Sequence, residues 1–465
     1  MKLYQHQIDA INTAMKRNLA IWHECGCGKT VTAIKVIDEL RSRNIGPALV
    51  VCPLSIIDAA WLSDIEKYAK HLSAISLYSK KPSERTRKLN ESHDIYIVNY
   101  EQFKIMFDEI DRKGFQVIVL DESSKIKNIK SQITQAALAF AGMTARSRSK
   151  KKYITLHTIP FRYCLSGTPA PNSELEYWAQ AKFITGKGNT VFNDNYYAFR
   201  GKYFHAIPIG GNGLIKIYKC RKSLRGELLG NLDKISHVVR KADALDLPEQ
   251  VCEAREVELS GGERSAYESL KNDLVLRLKD SLVLAATSLA EIMKLRQLTS
   301  GFVYVDQDKA ETTGHAKLRE LQGLLDEIGD SQAIIWTNFH HEVNMIKAVL
   351  KDKAVAVTGQ DGNEDRDRSV KLFTDNSVQY LISNPACLGH GMTFANCHYA
   401  IYFSLSYSHE LHDQSMNRIH RIGQNKKCTY FYLIAKNTID ETILSALQSK
   451  QKIAGDAMYY LRSLL

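Results

Sequence analysis

Three groups of residues in this chain have the types and spacing for polyphosphate chemistry. Gly26-Cys27-Gly28-Lys29-Thr30 follows an apolar run ending at Ile21-Trp22 and precedes a helix-like stretch. Glycines at 26 and 28 let backbone N–H groups wrap phosphate oxygens at a helix N-terminus. In such a loop Lys29 reaches the β- and γ-phosphates, and the Thr30 hydroxyl ligates magnesium. The strict pattern opens on glycine where this chain has His23, so the match is strong in its second half. The second group is the apolar run Val117–Leu120, which delivers Asp121 and Glu122 to a strand end, where open α/β sheets place ligands. There Asp121 holds Mg2+, and Glu122 orients or deprotonates an attacking water. The third is QSMNRIHRIGQ, from Gln414 to Gln424, whose Arg418 and Arg421 are spaced to share one face of a helical turn and reach one polyphosphate. Plainer readings are a Gly-rich turn, surface acids at a strand end, and solvated helix charges. The three groups in one chain favour ATP over those readings.

The elements that must position these residues alternate. Leu19–Trp22, Ala48–Cys52, Ile95–Asn99, Val117–Leu120 and Arg162–Ser166 read as buried strands, with helix-like stretches such as Thr30–Arg43 and Ile57–Ala69 between them. The pattern returns at Ala333–Trp336, Ala354–Val357, Val378–Ile382, Tyr399–Phe403 and Thr429–Ile434. Helices are expected there at His341–Leu350, Arg366–Phe373 and His409–Ile419. The prediction is an α/β chain of two parallel-sheet lobes, residues 1–240 and 241–465. The first carries a basic, aromatic-rich insertion at about 186–236, the second a helical insertion at about 262–300. Leu245–Glu249, with Pro248, reads as the linker.

Composition bounds the partners. In 465 residues, 44% hydrophobic and 24% charged content is ordinary for globular protein, and the length suits roughly two to three domains. No apolar run approaches the roughly 18 to 20 residues of a membrane span. The start MKLYQHQ lacks the apolar core of a signal peptide, which predicts a cytoplasmic chain without a leader. A net charge of +11 favours a polyanion over a merely solubilising surface. The nine cysteines are scattered and form no CxxC pair, which argues for a reducing compartment and against a zinc ribbon. Cys25 and Cys27, near Lys29 and a helix N-terminus, read as small residues in a tight loop before they read as reactive thiolates. The basic run Arg146–Lys152 reads as a contact to DNA phosphate or a solvated loop before it reads as a nuclear localisation run, while Lys216 to Arg225 around Tyr218 favours nucleic-acid phosphate over solvated surface. His340-His341 reads as helix-entry polarity, since a metal would need further ligands.

In order along the chain, these segments resemble the Swi/Snf-like branch of helicase superfamily two. Leu3–Gln7 resembles the adenine-reading Q motif with Gln7 in the glutamine position, and HECGCGKT is similar to a motif I usually written DEMGxGKT. Val50–Ser55 with Trp61 resembles motif Ia, Ile97–Glu101 motif Ib, and Asp121–Asn128 motif II. Leu165–Pro169 with Pro171–Ser173 resembles motif III, Asn384–Thr393 motif V, and the arginine run motif VI, whose HRIGQ ending is typical of this branch. The resemblance implies two RecA-like lobes with ATP between them and DNA across the top. It implies catalytic roles for Glu122, Arg418, Arg421 and Gln414, the arginines acting as fingers, and ATP and Mg2+ held by Gln7, Gly26, Cys27, Gly28, Lys29, Thr30 and Asp121. Ser166, Gly167 and Thr168 are the implied coupling residues, and Pro53, Ser55, Asn99, Tyr100, Gly391 and Thr393 the implied DNA contacts.

Departures from the family pattern are specific. Ser123-Ser124 stands where Ala-His is usual, which puts the link from motif II to motif III in doubt, and Thr393 replaces a frequent Asn. The expected function is ATP-driven tracking along double-stranded or branched DNA, without sequence preference, in repair, recombination or replication in a prokaryotic or phage setting. Its rivals are a strand-separating or branch-migrating helicase and a catalytically silent DNA-binding scaffold.

Overall fold

Strands buried on both faces must be apolar at every position, and the chain's short Val/Ile/Leu runs meet that demand. A computed structural model describes residues 3–143, 153–171, 173–209, 215–279, 285–306, 309–388 and 392–448. In chain order its strands are β1 (Leu19–His23), β2 (Ala48–Cys52), β3 (Ala74–Ser76), β4 (Ile95–Asn99), β5 (Val117–Asp121), β6 (Phe161–Leu165), β7 (Phe204–Ile209), β8 (Ile215–Cys220) and β9 (Ser236–Val239). They continue as β10 (Gln250–Val257), β11 (Phe302–Tyr304), β12 (Ala310–Thr312), β13 (Ala333–Trp336), β14 (Ala354–Val357), β15 (Tyr380–Ser383), β16 (Tyr399–Tyr402) and β17 (Cys428–Ala435).

The chain divides into two units, Met1–Asp246 and Leu247–Leu465. The first is built on a seven-stranded sheet in the order β3-β4-β2-β5-β6-β1-β9, every pairing parallel. Along β1 and β2, alternate residues enter opposite cores: Ala20, Trp22, Leu49 and Val51 on one face, Leu19, Ile21, Val50 and Cys52 on the other. The second unit has six parallel strands in the order β10-β17-β16-β13-β15-β14, with a core on each face. Both are parallel sheets covered on both faces, as the resemblance to helicase superfamily two implies.

Most expected strands appear within a residue or two of their predicted ends. The short strands β3 and β9 and the long edge strand β10 were not anticipated; β10 alternates exposed and half-buried positions, as an edge strand does. The region at 186–236 holds two helices, Tyr196–Tyr203 and Lys222–Asp233, with the antiparallel hairpin β7–β8 between them. The region at 262–300 holds helices Gly261–Lys279 and Ala285–Thr299. One expectation is corrected. The helix that begins at His409, capped by Ser408 Oγ accepting from Leu411 N at 3.3 Å, ends at Met416. Arg418 and Arg421 therefore lie in the turn beyond it and not on a helical face. Asn417 closes the helix, its Nδ2 donating to Asp413 O at 2.7 Å.

Candidate nucleotide site

In the first unit, Gln7 apart, the chemical segments leave the C-terminal ends of strands. The glycine loop follows β1, Pro53 follows β2, Asp121 ends β5 and Ser166 follows β6. Because β5, β6 and β1 are neighbours, register alone brings three of these together.

The loop itself is built on two left-handed glycines, Gly26 at φ 92° and Gly28 at φ 73°. A β-carbon on Gly28 would also collide with Gln7 Nε2. Gln7 is buried; its amide donates to Gly28 O at 3.2 Å and its Oε1 accepts from Tyr4 N at 3.0 Å, so it braces the loop. Lys29 opens the helix Lys29–Ser42 and folds its ammonium back onto His23 O at 3.0 Å and Glu24 O at 3.4 Å. Burial acts to lower the lysine's proton affinity, but the nearby Cys25, Glu122 and Asp121 outweigh it and leave the pKa raised. Lys29 is therefore a fixed positive charge.

Asp121 is buried, and its carboxyl is pushed up to about 6, first by desolvation and then by the adjacent Glu122. Opposing this, Trp61 Nε1 donates to Asp121 Oδ2 at 2.9 Å and Glu122 N to Oδ1 at 3.0 Å. Trp61 is placed by a turn of π-helix at Ile57–Leu62, inside a stretch expected to be plain α-helix. Glu122 has φ 56°, a conformation that a side-chain-bearing residue adopts rarely. Two adjacent buried carboxyl groups, one of them Asp121 with its proton affinity raised, form an oxygen-donor site that fits a hard divalent cation. Gly167 packs directly on the loop: a β-carbon there would lie 2.8 Å from Cys25 Sγ and 3.4 Å from Lys29 Nζ. Cys27 is buried and its thiol is pushed up to about 11, so it is no thiolate.

His23, unexplained from sequence, has a partner. Its Nε2 lies 2.9 Å from Nδ1 of His237 on β9. Burial, then His237 and Lys29, hold its pKa down to about 3, so a neutral imidazole ties the loop's strand to the sheet edge.

The expected nucleic-acid residues divide. Pro53 is half-buried and Ser55 exposed beyond β2, and Thr393 is exposed. Asn99 spends its Oδ1 on capping the helix Tyr100–Ile105, accepting from Gln102 N at 3.1 Å. Tyr100 turns inward: it is buried and donates to Asp121 O at 2.8 Å, so its ring supports the carboxylates and does not face a nucleic-acid surface. Gly391, with Gly389 and His390, lies outside the described residues, as do Asn172 and Arg146–Lys150 with Lys151 and Lys152. On the hairpin side the Arg200 guanidinium sits 4.2 Å from the centre of the Tyr218 ring. Lys216, Lys219, Arg221 and Lys222 are exposed there, while Arg225 pairs with Glu174 at 3.2 Å.

In the second unit the arginines converge despite the lost helix. Arg418 is buried, with Nη1 donating to Met392 O at 3.2 Å and Nη2 to Leu388 O at 3.5 Å. Arg421 Nη1 reaches the same Met392 O at 3.4 Å. Gln414 is buried on the preceding helix. His420 Nε2 lies 2.8 Å from Pro248 O, which joins the arginine turn to the start of the unit. Sequence reasoning did not single out the parts played by Trp61, Tyr100 and His237; each is a polar-tipped aromatic within an apolar stretch, the one available signal. His340 and His341 are the first two residues of the helix His340–Leu350, the helix entry expected of them. No described helix is long and apolar enough to cross a membrane.

A glycine loop with its lysine, a carboxylate pair and the Ser166–Pro169 turn on one parallel sheet, together with a second parallel-sheet unit, define a helicase-type ATPase. The family model of the SNF2-related domain matches residues 5–301, and that of the helicase conserved C-terminal domain matches residues 316–423. The chain belongs to the SNF2-related family and is an ATPase of that class. It is 26% identical over 473 residues to protein p41 of Acyrthosiphon pisum secondary endosymbiont phage 1, covering 97% of this chain and 96% of that one. It is 23% identical over 439 residues to an uncharacterized ATP-dependent helicase of Mycoplasma genitalium, covering 92% of this chain and 39% of the other. With the chromatin structure-remodeling complex subunit snf21 of Schizosaccharomyces pombe it shares 24% identity over 471 residues, 93% of this chain and 37% of the relative. The chain thus spans well under half the length of these two cellular relatives.

Proposed function

We propose that this chain converts ATP hydrolysis into movement along double-stranded or branched DNA, gripping the backbone without reading sequence. The observation that carries the reading is the meeting of Lys29, Asp121, Glu122 and Gly167 at the C-terminal ends of neighbouring strands, where the loop that binds phosphate touches the turn expected to couple. Lys29 and the loop amides hold the phosphates, and Gln7 keeps the loop in shape. Thr30 and Asp121 would hold Mg2+, which when bound neutralises phosphate charge. Glu122 orients the attacking water and takes its proton. Arg418 and Arg421 supply the positive charge that the transition state gathers, with Gln414 beside them. Pro53, Ser55, Asn99 and Thr393, with the basic hairpin, grip the phosphodiester backbone. A role in repair, recombination or replication, in the cytoplasm of a prokaryote or phage-infected host, accords with the phage relative of nearly equal length.

The test is ATPase activity with duplex DNA, single strands, RNA and branched junctions. Stimulation by duplex or junction DNA that weakens steeply with salt is expected. No stimulation by any of them would sink the motor reading in favour of a silent scaffold. Glu122→Gln serves as control, keeping ATP binding while losing turnover. Hairpin β7–β8 gives the strand-separating alternative a structural candidate, and unwinding of a labelled fork distinguishes it.

A further inference from the structure

The turn that carries the two carboxylates continues into Ser123, which is buried. The Ser123 hydroxyl donates to Gln180 Oε1 at 2.7 Å, and Gln180 Nε2 donates to Pro169 O. A fully buried glutamine is costly to desolvate unless both ends of its amide are bonded. Here those ends go to two different segments of the nucleotide site. One is Ser123, next to Glu122, whose left-handed conformation needs outside support to persist. The other follows Gly167, packed on Lys29.

Gln180 lies on the helix Tyr177–Thr185, whose opposite attachments lead towards the basic hairpin. Lys182, fully buried two residues on, pairs with Asp194 at 2.6 Å. Trp178 Nε1 donates to Asn193 O at 3.0 Å. Asn195 then caps the helix Tyr196–Tyr203, its Oδ1 accepting from Tyr197 N at 2.8 Å. That helix carries Arg200, stacked on Tyr218 of β8. One rigid helix is thus bonded on one side to the carboxylate turn and on the other to the root of the hairpin.

We propose that Gln180 is a positioning residue that holds the Glu122 turn to Pro169 and passes the state of the nucleic-acid-gripping hairpin to the hydrolytic carboxylate. The proposal rests on the reading of a nucleic-acid-stimulated ATPase, which the unmodified chain tests by itself. If no nucleic acid stimulates that chain, the earlier reading fails; the present one is judged on variants of a stimulated enzyme. In the full chain, Gln180→Leu, which removes the bonds at both ends of the amide, should keep KM for ATP within about twofold and lower DNA-stimulated kcat about tenfold. Gln180→Glu, which still accepts from Ser123 but repels Pro169 O, should behave like the leucine variant. Ser123→Ala should fall in the same direction, and the double variant Ser123→Ala/Gln180→Leu should be no slower than Gln180→Leu alone. Multiplying losses in the double variant would overturn the proposal, as would stimulated kcat unchanged in Gln180→Leu. Should Gln180→Leu fail to fold, Ser123→Ala, which deletes only a hydroxyl, decides alone: unchanged stimulated turnover overturns the proposal.

Discussion

The nucleotide end of the first unit and the arginine turn of the second reach chemical order by different routes. In the first, sheet register does the placing: β5, β6 and β1 lie side by side, so the residues at their ends meet. In the second, Arg418 and Arg421 lie past a helix end and are gathered by one carbonyl, Met392 O, from the loop after β15. The routes leave opposite electrostatic states. Asp121 is buried against desolvation and holds its proton too tightly, whereas the buried Arg418 is satisfied by backbone oxygens. Losing function should therefore have opposite effects on stability at the two ends.

The largest effect expected is on turnover. Arg421→Ala should lower kcat by about 10³-fold with little change in melting temperature, because its guanidinium is only half-buried. Arg418→Ala should match that loss and also destabilise the fold by about 1–3 kcal/mol, removing the guanidinium from Leu388 O and leaving Met392 O to Arg421. Equal melting temperatures for the two variants would erase the distinction between the two arginines. In the first unit, Gly28→Ala forces a β-carbon into a left-handed position against Gln7; ATP affinity measured by titration should fall roughly 10- to 100-fold. Acid should act on the same end. Asp121 is protonated below about 6, so at low Mg2+ turnover should fall as pH drops through that value, and added Mg2+ should move the limb lower. The smallest effect carries the opposite sign. The folded pKa lies above the unfolded one, so the charged carboxylate costs stability above about pH 6 and the cost is relieved below it. Asp121→Asn should abolish turnover yet stabilise the nucleotide-free protein at neutral pH by about 1 kcal/mol in denaturant melts; destabilisation would refute the contrast.

The same contrast explains what the sequence made legible. Residues at strand ends announce themselves, because an apolar run followed by Asp121-Glu122 or by a glycine loop fixes both element and location. The arginine turn was found by its residue types but given the wrong backbone, since spacing alone does not show that Ser408 and Asn417 bound the helix. Tyr100 follows a strand as a nucleic-acid residue would, yet its ring fills space beneath Asp121, a matter of packing that no local pattern encodes. Strand β9 is four residues long and half exposed, too weak a pattern to separate from the loop around it until β1 supplies its partner. The Ser123-Ser124 departure looked like a lost link because Gln180, the partner of Ser123, is distant in sequence and marked only as a polar residue in an apolar helix.

The pairing of β1 with β9, clipped by the two histidines, also sets a timetable for synthesis. Residues 19–23 are made early, but one neighbouring strand spans 161–165 and the other 236–239. At about 5–20 residues per second the strand that bears the glycine loop waits roughly ten to forty seconds for its last partner to leave the ribosome. Throughout that interval Ile21 and Trp22 present an apolar, unpaired edge to the cell. A nascent chain halted inside the basic hairpin would carry the nucleotide loop on an open strand, a form suited to chaperone capture or aggregation before any ATP is bound.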